Sequence, residues 1–157
     1  MKSTIIFLLF CFSLQYVVAQ SSIDQTTIRS KQFNIEKSGL AIQGYDPVSY
    51  YIGKPQKGSS NFSSKFNGIT YRFVSSKNMD LFKISPEKFE PAYGGWCAYA
   101  MGAKGEKVEV DPETFKIVNG KLYLFYNAVF NNTLPKWNED EKILNKKADA
   151  NWQKLIK

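Results

Sequence analysis

Apolar and polar residues alternate one by one in the middle of the chain, directly after an Asn-Gly pair. The apolar positions that follow Asn67-Gly68 are Ile69, Tyr71 and Phe73. A period of two residues is typical of a strand with one buried face. Asn-Gly supplies two residues that tolerate positive φ, which a tight type I′ turn requires. The pattern therefore predicts a β-hairpin over residues 61–76.

A second Asn-Gly pair predicts a second hairpin. Residues 115–126 read FKIVNGKLYLFY, with Asn119-Gly120 at the tip and apolar positions on both flanks. Between the two hairpins, Ser75 or Ser76 is placed to cap a helix that runs to about Ile84. A serine hydroxyl at this position accepts a hydrogen bond from a free N–H group of the first helical turn.

The C-terminal part of the chain has a helical period instead. Its apolar residues recur every three or four positions on a lysine-rich background, at Leu144, Ala148, Trp152 and Leu155. This spacing places them in one stripe of an amphipathic helix. We expect the stripe to face the core and the lysines to face solvent.

The stretch GYDPVSYYI at residues 44–52 predicts a turn followed by a strand. Asp46 precedes a proline, which disfavours the helical conformation of the aspartate and favours an extended one. Val48, Tyr50 and Ile52 then alternate with their neighbours as in a half-buried strand.

These elements together predict an α+β fold, in which β-hairpins form a small antiparallel sheet and helices pack on it. Residues 20–39 are polar and poor in apolar residues, so they are predicted to be a flexible leader. Residues 40–157 are predicted to form a single domain. Aromatic residues make up 15% of the chain, which is enough to build a core without disulfides.

The N-terminus predicts export from the cytoplasm. Lys2 precedes the apolar run IIFLLFCFSL, and the small or medium-sized residues Val17, Val18 and Ala19 come before Gln20. This layout is typical of a secretory signal peptide over residues 1–19, and the run is shorter than the roughly 20 residues that a membrane span needs. The sequence therefore predicts a secreted or periplasmic protein, with the signal peptide as its only membrane-directed segment.

The charge of the chain does not predict a nucleic-acid partner. Lys2 is the only charged residue in 1–19, so cleavage changes the net charge from +7 to +6. The lysines are scattered, and the only arginines are Arg29 and Arg72. Nucleic-acid-binding surfaces usually cluster these residues on one face, so we interpret the charge as a solvated surface.

The chemistry open to the chain is narrow. The sequence contains no histidine, which removes the commonest general acid or base and every Ser-His or Cys-His nucleophile pair. Cleavage of the signal peptide would also remove Cys11, leaving Cys97 as the one thiol and excluding an internal disulfide. We predict no catalytic residue, although an enzyme is not excluded.

Cys97 lies in the stretch YGGWCAYAMG, among aromatic residues. If a helix begins near Trp96, its N-terminus would stabilise the Cys97 thiolate. The candidate ligand site is therefore an aromatic pocket around this thiol, formed by Tyr45, Asp46, Tyr93, Trp96 and Cys97. The alternative is a packed, inert thiol, with Asp46 accepting hydrogen bonds within its own turn.

A soft-metal site is a second candidate. Cys97 and Met101 are four residues apart, so in a helix both sulfurs can lie on one side and bind Cu(I). The alternative is that the thiol and the thioether both fill the core. The identity of the cofactor, copper or another soft metal ion included, stays open at this point.

Four segments in order resemble the YHS-domain family, in its secreted bacterial branch. They are GYDPVSYYIGKPQKG, ITYRFVSSKNMDLF, SPEKFEPAYGGWCAYA and DPETFKIVNGKLYLFYN, within residues 40–155. The branch shows the motifs G-Y-D-P-V and Y-G-G-Y-C-A; here Trp96 stands in place of the second tyrosine. The resemblance implies a single YHS-like domain over residues 40–157.

Short members of the family occur in metal-handling proteins and carry cysteines after the Asp-Pro-Val motif and at the end of the aromatic hairpin. In this chain those positions are Ser49-Tyr50 and Ser75-Ser76, so the family's metal ligands are missing.

Three functions follow as hypotheses. The first is a module that binds a small ligand or a soft metal. The second is a thiol-dependent redox or transfer enzyme that uses Cys97. The third is an interaction module of a surface assembly, which docks through the lysines of its C-terminal helix.

Overall fold

The computed structural model of the chain describes residues 25–157. The predicted signal peptide and the first residues of the predicted leader lie outside that range. The helices are 25–32 (α1), Ser76–Ile84 (α2), Pro86–Phe89 (α3), Ala98–Ala103 (α4), Thr133–Glu139 (α5) and Glu141–Leu155 (α6). The strands are Ser59–Phe66 (β1), Ile69–Phe73 (β2), Asp111–Val118 (β3), Lys121–Phe125 (β4), Asn127–Ala128 (β5) and Asn131–Asn132 (β6).

The α+β prediction is confirmed, and the strands pair as three antiparallel hairpins, β1–β2, β3–β4 and β5–β6. Both predicted Asn-Gly turns are present. All four turn residues have positive φ. The φ angles are 44° at Asn67 and 86° at Gly68 in the first turn, and 51° at Asn119 and 74° at Gly120 in the second. Single bridges between Leu40 and Thr70 and between Pro91 and Leu122 tie the first two hairpins to neighbouring segments.

The predicted helices are also confirmed. The Ser75 hydroxyl accepts a hydrogen bond from the Asn78 N–H at 3.2 Å and so caps α2. In α6, Leu144 and Ala148 are buried, and Trp152 and Leu155 pack beside them. The stripe faces the core as its period predicts.

The prediction of a strand over Val48–Ile52 is wrong. Ser49–Ile52 form a short 3-10 helix. The Asp46 carboxylate accepts the Val48 N–H at 2.8 Å, and the Asp46 carbonyl accepts the Ser49 N–H at 3.1 Å, so the chain coils directly after the proline. Tyr50 is buried as expected, but Ile52 is 70% exposed.

Residues 25–39 belong to the folded body and do not form a flexible leader. Arg29 of α1 forms an ion pair with Glu90, and its guanidinium lies 4.2 Å from the centre of the Phe33 ring. The Asn34 N–H donates to the Gly94 carbonyl at 2.9 Å. Composition alone predicted a flexible segment because it does not show that single side chains, such as Arg29 and Phe33, have specific partners in the folded chain.

Two groups of buried side chains form the core. The first lies under β1–β2 and α2, where Tyr71, Phe73 and Phe82 are in ring contact. The second lies between β4 and the C-terminal helices, around Phe125 and Trp137. α4 lies against α6, and Cys97 precedes its first residue.

Candidate functional site

The five residues of the predicted pocket do not converge. Cys97 lines one groove and Tyr93 lines another, while Tyr45, Asp46 and Trp96 line neither. The aromatic pocket predicted around the thiol is therefore replaced by separate local structures.

Tyr45 is tied to the second hairpin. Its hydroxyl donates to the Glu113 carboxylate at 2.9 Å, and the Lys57 ammonium lies 4.9 Å from its ring centre. The hydrogen bond to Glu113 raises the pKa of the Tyr45 hydroxyl, with burial as the next cause. Tyr45 thus joins two segments that are far apart in the sequence.

Asp46 is fully buried and saturated with hydrogen bonds. One carboxylate oxygen accepts the Val48 N–H at 2.8 Å. The other accepts the Val74 N–H at 3.0 Å and the Asn78 side-chain amide at 2.7 Å. The Asp46 carboxylate therefore joins its own turn to the end of β2 and the start of α2, which is a structural role.

Tyr93 begins a left-handed turn that brings distant segments together. Tyr93, Gly94 and Gly95 all have positive φ, at 55°, 60° and 87°. The Tyr93 hydroxyl donates to Asp149 of α6 at 3.0 Å. A Cβ atom on Gly94 would lie 2.8 Å from carbon atoms of both Phe33 and Trp152. Gly94 therefore allows close packing of Phe33 and Trp152, and neither glycine lines the groove that contains Cys97.

Trp96 holds the C-terminal end of α1. Its indole N–H donates to the Gln32 carbonyl at 2.6 Å, and the Lys107 ammonium lies 5.8 Å from its ring centre. Lys107 also donates to the Lys31 carbonyl at 3.2 Å. Burial lowers the pKa of the Lys107 ammonium. Trp96 and Lys107 thus bind the carbonyl groups that α1 leaves free at its end.

The Cys97 thiol lies in a closed ring of hydrogen bonds. The Thr133 hydroxyl donates its proton to the Tyr126 carbonyl at 2.9 Å. Its oxygen, 3.4 Å from the sulfur, is therefore free only to accept, so the thiol proton points to Thr133. The Tyr126 N–H donates to the sulfur at 3.3 Å. The Cys97 thiol therefore joins the end of β4 to the start of α5.

Met101 does not share a surface with Cys97. Both side chains are fully buried, but Cys97 packs in the first group of core residues and Met101 in the second. Among residues 25–157, no group of three or more Cys, Asp or Glu side chains is placed to hold a metal ion. The segment is helical in α4, as the candidate metal site required, but the two sulfurs fill different parts of the core.

A groove of about 390 Å³ lies above Cys97. Its floor is Cys97 and Thr133, and its walls are Tyr99, Ala100, Ala103, Val108 and Tyr126. Lys104, Glu106 and Asn131 form an exposed polar rim. The volume suits a small organic molecule, and the combination of apolar walls with a few polar groups is typical of ligand sites. The sequence indicated the thiol at the floor, but the wall residues come from three segments that no local pattern links.

Buried tyrosines make the fold sensitive to alkaline pH. Burial is the main cause that raises the pKa of Tyr50, Tyr71 and Tyr93 above the ordinary value near 10. A folded-state pKa above the unfolded one favours the folded state at neutral pH, and this contribution is lost as the pH rises past about 10.

We therefore expect the free energy of unfolding to fall above about pH 10, by up to 1.4 kcal/mol per pH unit for each such group. Urea unfolding at a series of pH values measures it, and tyrosinate absorbance follows the ionisation. The Tyr50→Phe variant should show a shallower decline. Full tyrosine ionisation in a chain that stays folded would contradict the expectation.

Comparisons of the chain with family models, with curated proteins and with solved structures found no match. Within residues 25–157, none of the helices has the length and apolar character needed to cross a membrane. The groove above Cys97 is therefore interpreted from its own geometry.

Proposed function

We propose that this chain is an exported YHS-like domain that binds a small organic molecule in the groove above Cys97. The observation that supports this proposal is the groove itself. Tyr99 and Tyr126 provide aromatic walls above the buried floor of Cys97 and Thr133. The proposed ligand has an aromatic or apolar body of modest size. Its polar part would meet Lys104, Glu106 or Asn131 at the rim.

Two features favour an organic ligand over a soft metal ion. The thiol proton of Cys97 is engaged by Thr133, and the second sulfur, that of Met101, packs in a different part of the core. A metal ion would have to displace the first hydrogen bond and find other ligands. An organic molecule can occupy the groove with the ring of hydrogen bonds intact.

The other two hypotheses have less support. A thiol-dependent enzyme needs an accessible thiolate, and Cys97 has no exposed surface. An interaction module that docks through α6 stays a prediction. The lysines invoked for it, Lys146, Lys147 and Lys154, are exposed on that helix.

The groove can be tested with neutral aromatic probes. We expect indole and p-cresol to shift the backbone amide resonances of Tyr99, Ala100 and Tyr126 and to raise the melting temperature. The Ala103→Trp variant should weaken the binding of these probes by about tenfold or more, because the indole fills a groove lined by Ala103. Ala103 is exposed, so the substitution should leave the fold intact.

Ala150→Trp is the matched control. Ala150 is exposed on α6, outside the residues that line the groove, so this variant should bind the probes like the wild type. Equal binding by both tryptophan variants, or amide shifts away from the groove, would overturn the proposal. A melting shift with Cu(I) that is lost in Cys97→Ser, with no response to the aromatic probes, would favour the soft-metal hypothesis instead.

A further inference from the structure

The third hairpin has an unusual turn. The first two hairpins turn on Asn67-Gly68 and Asn119-Gly120, as tight turns prefer. The β5–β6 hairpin pairs Ala128 with Asn131, so its two turn residues are Val129 and Phe130. A β-branched and an aromatic residue thus occupy the tip where the other hairpins of the same chain have asparagine and glycine.

This tip combines two unfavourable features. Phe130 is 105% exposed and Val129 is 82% exposed, so both apolar side chains lie in water. Phe130 also has a φ of 62°, a left-handed conformation that a bulky side chain rarely adopts. Neither feature contributes to the packing of the fold. Local strain of this kind is typical of sites where function determines the residue.

Positively charged side chains lie beside the tip. The Lys136 ammonium donates to the Asn131 side chain at 2.8 Å. Lys104 shares the rim of the groove with Asn131; its side chain is 70% exposed and 4.0 Å from Glu106. Asp111 lies near the base of the hairpin, 3.4 Å from the Asn127 amide. The whole chain carries a net charge of +7.

We propose that the Val129-Phe130 tip inserts into the interface of an anionic lipid bilayer. The two apolar side chains would enter the boundary between headgroups and acyl chains. Lys104 and Lys136 would meet the lipid phosphates. The net positive charge draws the chain to such a surface and opposes its association with a second copy.

The shape of the tip also favours a bilayer over a protein partner. Two protruding side chains with asparagines at their base offer little of the roughly 1,000 Å² that a stable protein interface buries. A bilayer accepts a shallow insertion of a few apolar groups. The proposal does not depend on a ligand in the neighbouring groove, so either proposal can fail alone.

The test replaces Val129-Phe130 with Asn-Gly, the dipeptide of the other two turns. Sedimentation with vesicles of equal parts phosphatidylcholine and phosphatidylglycerol measures partitioning. We expect the wild-type protein to bind these vesicles, and to bind them more weakly at high salt. The partitioning of the V129N/F130G variant should be lower by about tenfold or more. The melting temperature of the variant should be unchanged or higher, because glycine adopts the φ of 62° at position 130 without strain.

Two controls separate insertion from other causes. Ile84→Asn removes an apolar side chain that is 78% exposed on α2, away from the tip, and should leave partitioning unchanged. Lys104→Gln with Lys136→Gln should weaken binding to the anionic vesicles and make it less sensitive to salt. Failure of the wild type to bind, binding by V129N/F130G at the wild-type level, or a tip-dependent dimer without vesicle binding would overturn the proposal.

Discussion

Replacing Gly94 with alanine is expected to lower the free energy of unfolding by about 3–5 kcal/mol. The residue has a φ of 60°, which costs an L-amino acid about 1–2 kcal/mol. The new methyl group would also lie 2.8 Å from ring carbons of Phe33 and Trp152, so both rings must move. Urea unfolding followed by circular dichroism measures the change.

Gly120→Ala is the matched control for Gly94→Ala. Gly120 has a similar φ of 74°, but a Cβ atom there would meet no atom within 4 Å. Its substitution should therefore cost only about 1–2 kcal/mol, the conformational part of the effect. Equal losses of unfolding free energy for the two variants would show that the close contact of Gly94 with the two rings adds nothing to the cost of the substitution.

Asp46→Asn is expected to destabilise the fold by about 2–4 kcal/mol. The carboxylate accepts three hydrogen bonds on its two oxygens, from Val48, Val74 and Asn78. An amide has only one oxygen, so in either orientation its NH₂ group faces at least one of these donors. The buried donor then has no acceptor, and the turn, β2 and α2 lose their common link.

Asp80→Asn provides the comparison. Asp80 lies on the surface of α2, and its contact with Lys83 at 3.9 Å is largely exposed, so this change should cost less than about 0.5 kcal/mol. Thermal and urea unfolding of the two variants give the difference. A cost for Asp46→Asn as small as that for Asp80→Asn would mean that the buried carboxylate is dispensable. It would also reopen Asp46 as a ligand-binding residue.

The sequence predicted those elements whose determinants are local. The two Asn-Gly turns, the serine cap of α2 and the apolar stripe of α6 each depend on residues within one turn or one helix, and all are present. The fold class followed from their order. These signals are reliable here because the local preference and the packing of the core agree.

The candidate site was harder to predict because its partners are distant in the sequence. Tyr45 bonds to Glu113, 68 residues away, and Tyr93 bonds to Asp149, 56 residues away. Proximity to Cys97 in the motif YGGWCAYA suggested one pocket, whereas the positive φ angles at 93–95 direct Tyr93 towards α6. The prediction also missed Thr133, which determines where the thiol proton points.

The same reasoning explains the error at residues 44–52. Alternation of Val48, Tyr50 and Ile52 fits a strand, but a buried carboxylate at Asp46 can accept N–H groups only if the chain coils around it. Burying the Asp46 carboxylate without these hydrogen bonds would cost more free energy than the formation of a strand would contribute. The hydrogen bonds of Asp46 therefore outweighed the alternating pattern, although Asp46 in the sequence indicated only a turn.

The contact at Gly94 has a mechanical consequence. Phe33, just after α1, and Trp152, near the end of α6, meet with ring centres 5.6 Å apart beside the same glycine. Because one ring lies just after α1 and the other lies in α6, a force that separates these two helices acts directly on the packing around Gly94.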